Sequence, residues 1–227
     1  MSSDPYIPPV NPMPPAVVAL FLVLIGVEVS FQAGANGLVG GPAAVGWRLE
    51  AMRSYAFSGE IMAWMWETGR WPAEHLIRFV SYPFVHGSFT QALFAGVILL
   101  AMGKMVAEAM GTAAMLVIFF GSAIGGALVY GLLQSPMPLI GAFPPVYGLI
   151  GGFTFILWRS LGAVGQNQAR AFTLIGFLMG IQLVFGLIFG LDNDWVADLS
   201  GFATGFGLSF FVSPGGWMRV RSRIRHD

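Results

Sequence analysis

Six stretches of this chain each come close to the roughly 20 consecutive apolar residues that a helix needs to cross a bilayer. They run over Pro15–Gly34, Phe84–Met102, Ala113–Leu133, Pro144–Arg159, Ala171–Leu191 and Trp195–Val212, with Gly, Pro or charged residues between them. In lipid every backbone polar group must be satisfied within the protein, so such runs predict helices and an all-α, polytopic membrane fold. Composition agrees: 56% of the residues are hydrophobic and 10% charged, against about 25% charged in soluble domains.

The breaks divide the chain into a Pro-rich N-terminal segment, residues 1–14, a six-span membrane domain, residues 15–213, and a basic tail, residues 214–227. The head lacks the basic start of a signal peptide, and the first apolar run is too long for an h-region. Only the first connection is long. Residues 36–82 carry Arg48, Arg53, Arg70 and Arg78 against Glu50, Glu60, Glu67 and Glu74, too much charge to span. With the N-terminus inside, the inner segments hold Lys104, Arg159, Arg170, Arg219, Arg221, Arg223 and Arg225, and the short outer loops hold no basic residue. The positive-inside rule therefore predicts both termini in the cytoplasm and the long loop outside. Within that loop Phe57, Ile61, Trp64 and Met65 recur at helical spacing, which reads either as an amphipathic interfacial helix or as a stripe packed on the protein's own spans. Trp66 and Trp71 suit the headgroup level.

Eleven basic and eleven acidic residues leave no net charge, so nothing recruits nucleic acid. There is no cysteine, and His75, His86 and His226 stand too far apart for a helical metal pair. No cofactor is expected. Small residues at Gly121, Gly125 and Gly126, at Gly148 and Gly152, and at Gly201 and Gly205 form small-xxx-small faces. Such faces serve close helix packing inside one bundle or between copies. The sequence sets no oligomeric state.

Three motifs carry chemistry. The second span opens on Phe84-Val85-His86-Gly87-Ser88, the fourth on Gly141-Ala142-Phe143-Pro144-Pro145, and the sixth contains Ala197-Asp198-Leu199-Ser200-Gly201 with Gly205. In order and spacing these resemble the rhomboid family of intramembrane serine proteases. That resemblance implies a six-helix bundle with a long outer first loop. It also implies that Phe143 stands where the family has its serine nucleophile and Asp198 where it has its general-base histidine. Gln91 and Ala95 stand where a histidine and an asparagine help bind the oxyanion. Phenylalanine has neither lone pair nor proton to give, so position 143 cannot form an acyl-enzyme. Pro144 brings no amide N–H to the motif, yet prolines in a first helical turn favour helix initiation.

The resemblance thus implies a catalytically inactive member. Inactive rhomboid relatives such as Derlins bind transmembrane segments of other proteins, and the expected partners here are such segments and the bilayer. The expected membrane is a bacterial inner membrane. In the lost dyad's place, Gln91, Tyr147 and Asp198 form a candidate hydrogen-bonded cluster. Alternatives remain open at this point. A divergent rhomboid-type endopeptidase would need a relocated serine, from Ser88, Ser122, Ser135 or Ser200. An aspartyl or cation site would use Asp192, Asp194 and Asp198, with Asp194 otherwise capping the sixth span and Asp198 within reach of water. A proton-coupled transporter would use Glu28. A fixed subunit of a complex would use the phenylalanines of span five, Phe172, Phe177, Phe185 and Phe189.

Overall fold

The computed structural model describes residues 12–189 and 193–214. Among them there are ten α-helices and no strand. They are α1 (Pro15–Ala35), α2 (Trp47–Tyr55), α3 (Gly59–Thr68), α4 (Ala73–Leu76), α5 (Arg78–Ser81), α6 (Phe89–Met110), α7 (Thr112–Leu132), α8 (Phe143–Ala163), α9 (Thr173–Phe189) and α10 (Asp194–Val212). The Pro-rich head up to Asn11, Asp192, the Arg219–Arg225 tail and His226 lie outside the described residues, as do the side chains of Phe185 and Phe189.

Five helices, α1, α6, α7, α8 and α10, are long and apolar enough to cross a membrane. That is the count among the described residues, and the sixth expected span is not confirmed. The fifth predicted span gives α9, whose described residues run from Thr173 to Phe189, where the described part of the chain breaks. Its predicted start at Ala171 belongs instead to a 3-10 turn, Gln168–Phe172, opened by the Asn167 side chain accepting from the Ala169 N–H.

The second span is displaced too. Phe84 closes a 3-10 turn and the helix starts at Phe89, because Ser88 caps it. It then runs through Lys104, which the sequence reading put in an inner loop, to Met110, and Lys104 pairs with Glu108 one turn on at 3.7 Å. The connection to α7 is Gly111 alone, at a φ of +94° open to glycine and strained for other residues.

Helices α7, α8 and α10 are the most closely packed, α6 flanks α8, and α1 lies on α6. Glycine makes this approach possible. A Cβ on Gly201 would overlap the Pro144 carbonyl, and one on Gly205 the Gly148 carbonyl. A Cβ on Gly148 would overlap the Ser122 hydroxyl. Gly152 faces Ile118 and Val106 at 3.2 and 3.3 Å from where its Cβ would stand. These small faces therefore meet one another inside the bundle.

The first loop is folded onto that bundle. Phe57 and Met65 are buried with Tyr82, Tyr130, Ala123 and Ala127, and Ile61 packs against them. The stripe expected at the interface is thus largely internal, because its apolar side chains find the flank of α7. Trp64, Trp66 and Trp71 remain exposed, with Trp66 at 73%. None of the loop's four arginines pairs with a loop glutamate. Arg78 donates to the carbonyls of Ala56 and Arg53, both at 2.9 Å. The Phe57 and Leu139 backbones exchange two hydrogen bonds, of 3.1 and 2.8 Å, tying the first loop to the α7–α8 connection.

Candidate functional site

The three motifs meet at one end of the bundle, where α6, α8 and α10 all begin. The α6 start is fixed by reciprocal capping. Ser88 Oγ accepts from the Gln91 N–H at 3.2 Å, and Gln91 Oε1 accepts from the Gly87 N–H at 2.8 Å. This is close to a capping box, in which the third helical residue reaches back over the N-terminus. The Gln91 carbonyl oxygen, at a position where the resemblance implies an oxyanion ligand, is occupied by this cap.

His86 precedes the cap and is 1% exposed. Its Nε2 accepts from the Ala142 N–H at 3.2 Å, so the neutral ring carries its proton on Nδ1. Burial pushes the imidazole down to about 4, and the Arg48 guanidinium adds to this against the opposing pull of Glu28. Gly141, at a φ of +89°, presses against the same groups, with the place of its Cβ 2.9 Å from Gln91 Nε2. Its N–H donates to the Tyr82 carbonyl at 3.1 Å. The motif that opens α8 is thereby clamped from both sides.

Phe143 is the first residue of α8 and packs against two apolar clusters, one with Ala95, Ala142 and Val146 and the other with Tyr147, Ile175 and Phe202. Ala95 is fully buried. The place where an acyl-transfer site needs a nucleophile and donors is filled by hydrocarbon.

Asp198 lies on the second turn of α10 and is 3% exposed. It is therefore buried, where the sequence reading expected water to reach it. Its Oδ2 accepts from Gln182 Nε2 of α9 at 2.7 Å. The expected cluster is rearranged accordingly: Asp198 bonds Gln182, Gln91 bonds the α6 cap, and Tyr147 sits in the apolar cluster. Among the described residues no hydrogen bond joins Gln91, Tyr147 and Asp198. Gln182 was not singled out in the sequence, since nothing there says which face of span five meets α10. Asn193, not Asp194, holds the N-cap position of α10, without a side-chain cap bond.

Glu28, on α1, is 1% exposed and accepts from Arg48 Nη1 and Nη2 at 2.9 and 2.7 Å. It also accepts from Gln32 Nε2 at 3.0 Å, and Arg48 Nη1 donates onward to the His86 carbonyl at 2.6 Å. The partner that the sequence left unassigned thus comes from α2. A bidentate pair of this kind holds both charges in place.

A cavity of about 510 Å³ opens beside these elements, lined by Met52, Gln91, Tyr130, Ser135, Met137, Ile140 and Asp194 among others. Phe143, Tyr147 and Asp198 are not among its lining residues. Among the described residues no group of three or more His, Asp or Glu side chains is arranged to hold a metal.

Comparison with known proteins accounts for this architecture. The chain is 28% identical over 151 residues to RHOMBOID-like protein 4 of Arabidopsis thaliana, covering 64% of this chain and 37% of that protein. It is 29% identical over 136 residues to Rhomboid-like protease 3 of Toxoplasma gondii, covering 59% of this chain and 50% of that one. The chain thus spans half or less of the length of these curated relatives. The Rhomboid domain model matches residues 73–215, which contain all three motifs and every helix from α4 to α10. With that match over more than half its length, this multi-pass membrane protein belongs to the rhomboid family.

Proposed function

We propose that this rhomboid-family chain does not hydrolyse peptides and instead binds transmembrane helices of other membrane proteins, as an assembly, quality-control or complex-subunit factor. The observation that carries the reading is Phe143 at the head of α8, packed among apolar side chains with Ala95 fully buried beside it. Loss of a serine nucleophile alone costs about a million-fold in turnover. Here the base is replaced as well, and Gln91 is occupied by the α6 cap. Apolar side chains exposed along α9, Phe177, Leu183, Val184, Leu187 and Ile188, offer a surface on which another helix can lie.

The test is photocrosslinking in native membranes followed by mild-detergent purification and mass spectrometry, with cleavage of a model transmembrane substrate measured in parallel. Many substoichiometric membrane partners support client binding, and one stoichiometric partner supports a complex subunit. Cleavage abolished by a single substitution would overturn the reading in favour of a divergent rhomboid-type endopeptidase. The Ser122 hydroxyl, buried without a hydrogen-bond partner, is the first place to look for that alternative. The reading extends to both termini in the cytoplasm, which the arginine distribution in the sequence supports, and to a bacterial inner membrane, while both matched relatives are eukaryotic. Reporter fusions at the two termini test the orientation.

A further inference from the structure

The seam between α9 and α10 holds a carboxyl group with no basic partner and an amide oxygen with no donor among the described residues. Among the described residues the Asp198 carboxyl accepts one side-chain hydrogen bond, at Oδ2 from Gln182 Nε2. Gln182 Oε1, across the seam, is buried with no hydrogen-bond partner among the described residues. No lysine, arginine or histidine among the described residues pairs with the carboxyl group. The nearby Tyr82 hydroxyl donates instead to the Ala123 carbonyl at 3.0 Å. An ionisable group inside a membrane domain usually has a partner or a task, because an isolated one is costly to bury.

The two helices differ in how firmly they are held. Ala197, Gly201 and Gly205 of α10 are buried against α7 and α8. On α9, Ile175 is the only buried side chain among the described residues, and Gln182 keeps partial exposure. The seam therefore lies on the thinly packed α9 side of the bundle, where Gln182 is partly exposed and Asp198 is buried. Asp198 lies four residues, or about 6 Å, inside the start of α10.

We infer that Asp198 and Gln182 form a recognition site for a basic side chain, lysine or arginine, carried near the outer end of a client transmembrane helix. A carboxyl group and a neighbouring amide oxygen complement an ammonium or guanidinium donor and offer nothing to an apolar or acidic residue. A client helix with a lone basic residue is itself poorly soluble in lipid, so the same contact relieves both partners. This inference rests on the client-binding reading and adds to it the chemical class of the client.

The experiment uses the full chain in nanodiscs and a fluorescent Leu/Ala transmembrane peptide. The peptide carries Lys, Leu or Glu at one position, about one turn inside its outer end. The Lys peptide is expected to bind about tenfold more tightly than the Leu peptide, within the range of intramembrane hydrogen bonds. The Glu peptide is expected to bind no better than the Leu peptide. The preference for Lys over Leu should vanish in Asp198→Asn and shrink in Gln182→Leu. Thermal melting of each variant in nanodiscs reports that it is folded. Equal binding of the Lys and Leu peptides by the unsubstituted chain overturns the inference while leaving client binding standing. A Lys preference that survives Asp198→Asn overturns it as well. Failure of every peptide to bind overturns both.

Discussion

Acidification should weaken this protein through His86, and the size of the effect follows from its surroundings. The imidazole is buried, and its Nε2 is the acceptor for the Ala142 N–H at the entry to α8. Its pKa lies at about 4 in the folded chain against 6.5 for the free side chain. The unfolded chain therefore binds more protons between those values, and stability rises with pH across that window. It is fully present above pH 6.5 and is lost as pH falls toward 4. The whole span corresponds to roughly 3 kcal/mol, of which about 2–3 kcal/mol is gone by pH 4.5. For a chain of this size that lowers the melting temperature by roughly 5–10 °C. The mechanism is local: a proton on Nε2 turns an acceptor into a donor facing a donor. The assay is thermal melting in a mild detergent from pH 7.5 to 4.5, for the unsubstituted chain and for His86→Gln. Glutamine can offer an oxygen near the place of Nε2 and does not titrate. The variant should begin less stable, by about 1–3 kcal/mol if its oxygen misses the Ala142 N–H, and should lack the steep limb between pH 6.5 and 4.5. Parallel curves for the two proteins would refute the reasoning, since the acid sensitivity would then belong to carboxylates elsewhere.

Breaking the Glu28–Arg48 pair by Glu28→Gln or Arg48→Ala is expected to cost about 3 kcal/mol, discounted from the fully buried case because Arg48 is partly exposed. The Glu28→Leu/Arg48→Met double variant should regain much of this, and a double-mutant cycle in detergent reads the coupling. Gly201→Ala should lower stability by about 1–3 kcal/mol, because its methyl meets the Pro144 backbone. A melting temperature unchanged by that substitution would contradict the close approach of α8 and α10. Restoring the dyad with Phe143→Ser and Asp198→His is expected to yield no cleavage of a model transmembrane substrate. Pro144 has no N–H and Ala95 no donor, and each missing oxyanion donor costs about 100- to 1,000-fold. Detectable turnover in that double variant would show that the frame retains more of the machinery than its geometry implies.

Much of the fold was legible because bilayer length and helix-breaking residues act locally. The ends of α7 and α10 fall within two residues of where the hydropathy and the Gly and Pro breaks put them. Local capping was harder to read: Ser88 and Gln91 shift the start of α6 by five residues from Phe84, although Ser-x-x-Gln is itself a start signal. The proposed loss of the nucleophile rests on Phe143 alone, since it depends on atoms that side chain lacks. The polar partners could not be read from the sequence. Arg48 lies 20 residues from Glu28, and Gln182 lies 16 from Asp198. Periodicity within one helix says nothing about which face of another it meets. The Phe57 and Met65 stripe had the same ambiguity, because lipid and the flank of α7 are equally apolar to a side chain.

The two-bond link between Phe57 and Leu139 has a consequence for biosynthesis. Its halves are separated by about 80 residues, and chains are made at about 5–20 residues per second. The first loop must wait roughly 4–16 s after Phe57 is joined to the chain before Leu139 exists to meet it. The α8 entrance inherits that delay, because Gly141 and Ala142 are held by Tyr82 and His86, made about 60 residues earlier. During the interval the Phe57 backbone, the Tyr82 carbonyl and His86 Nε2 lack the backbone partners that Leu139, Gly141 and Ala142 later supply. The nascent protein therefore passes through a stage in which its own first loop needs shielding of the kind proposed here for its clients.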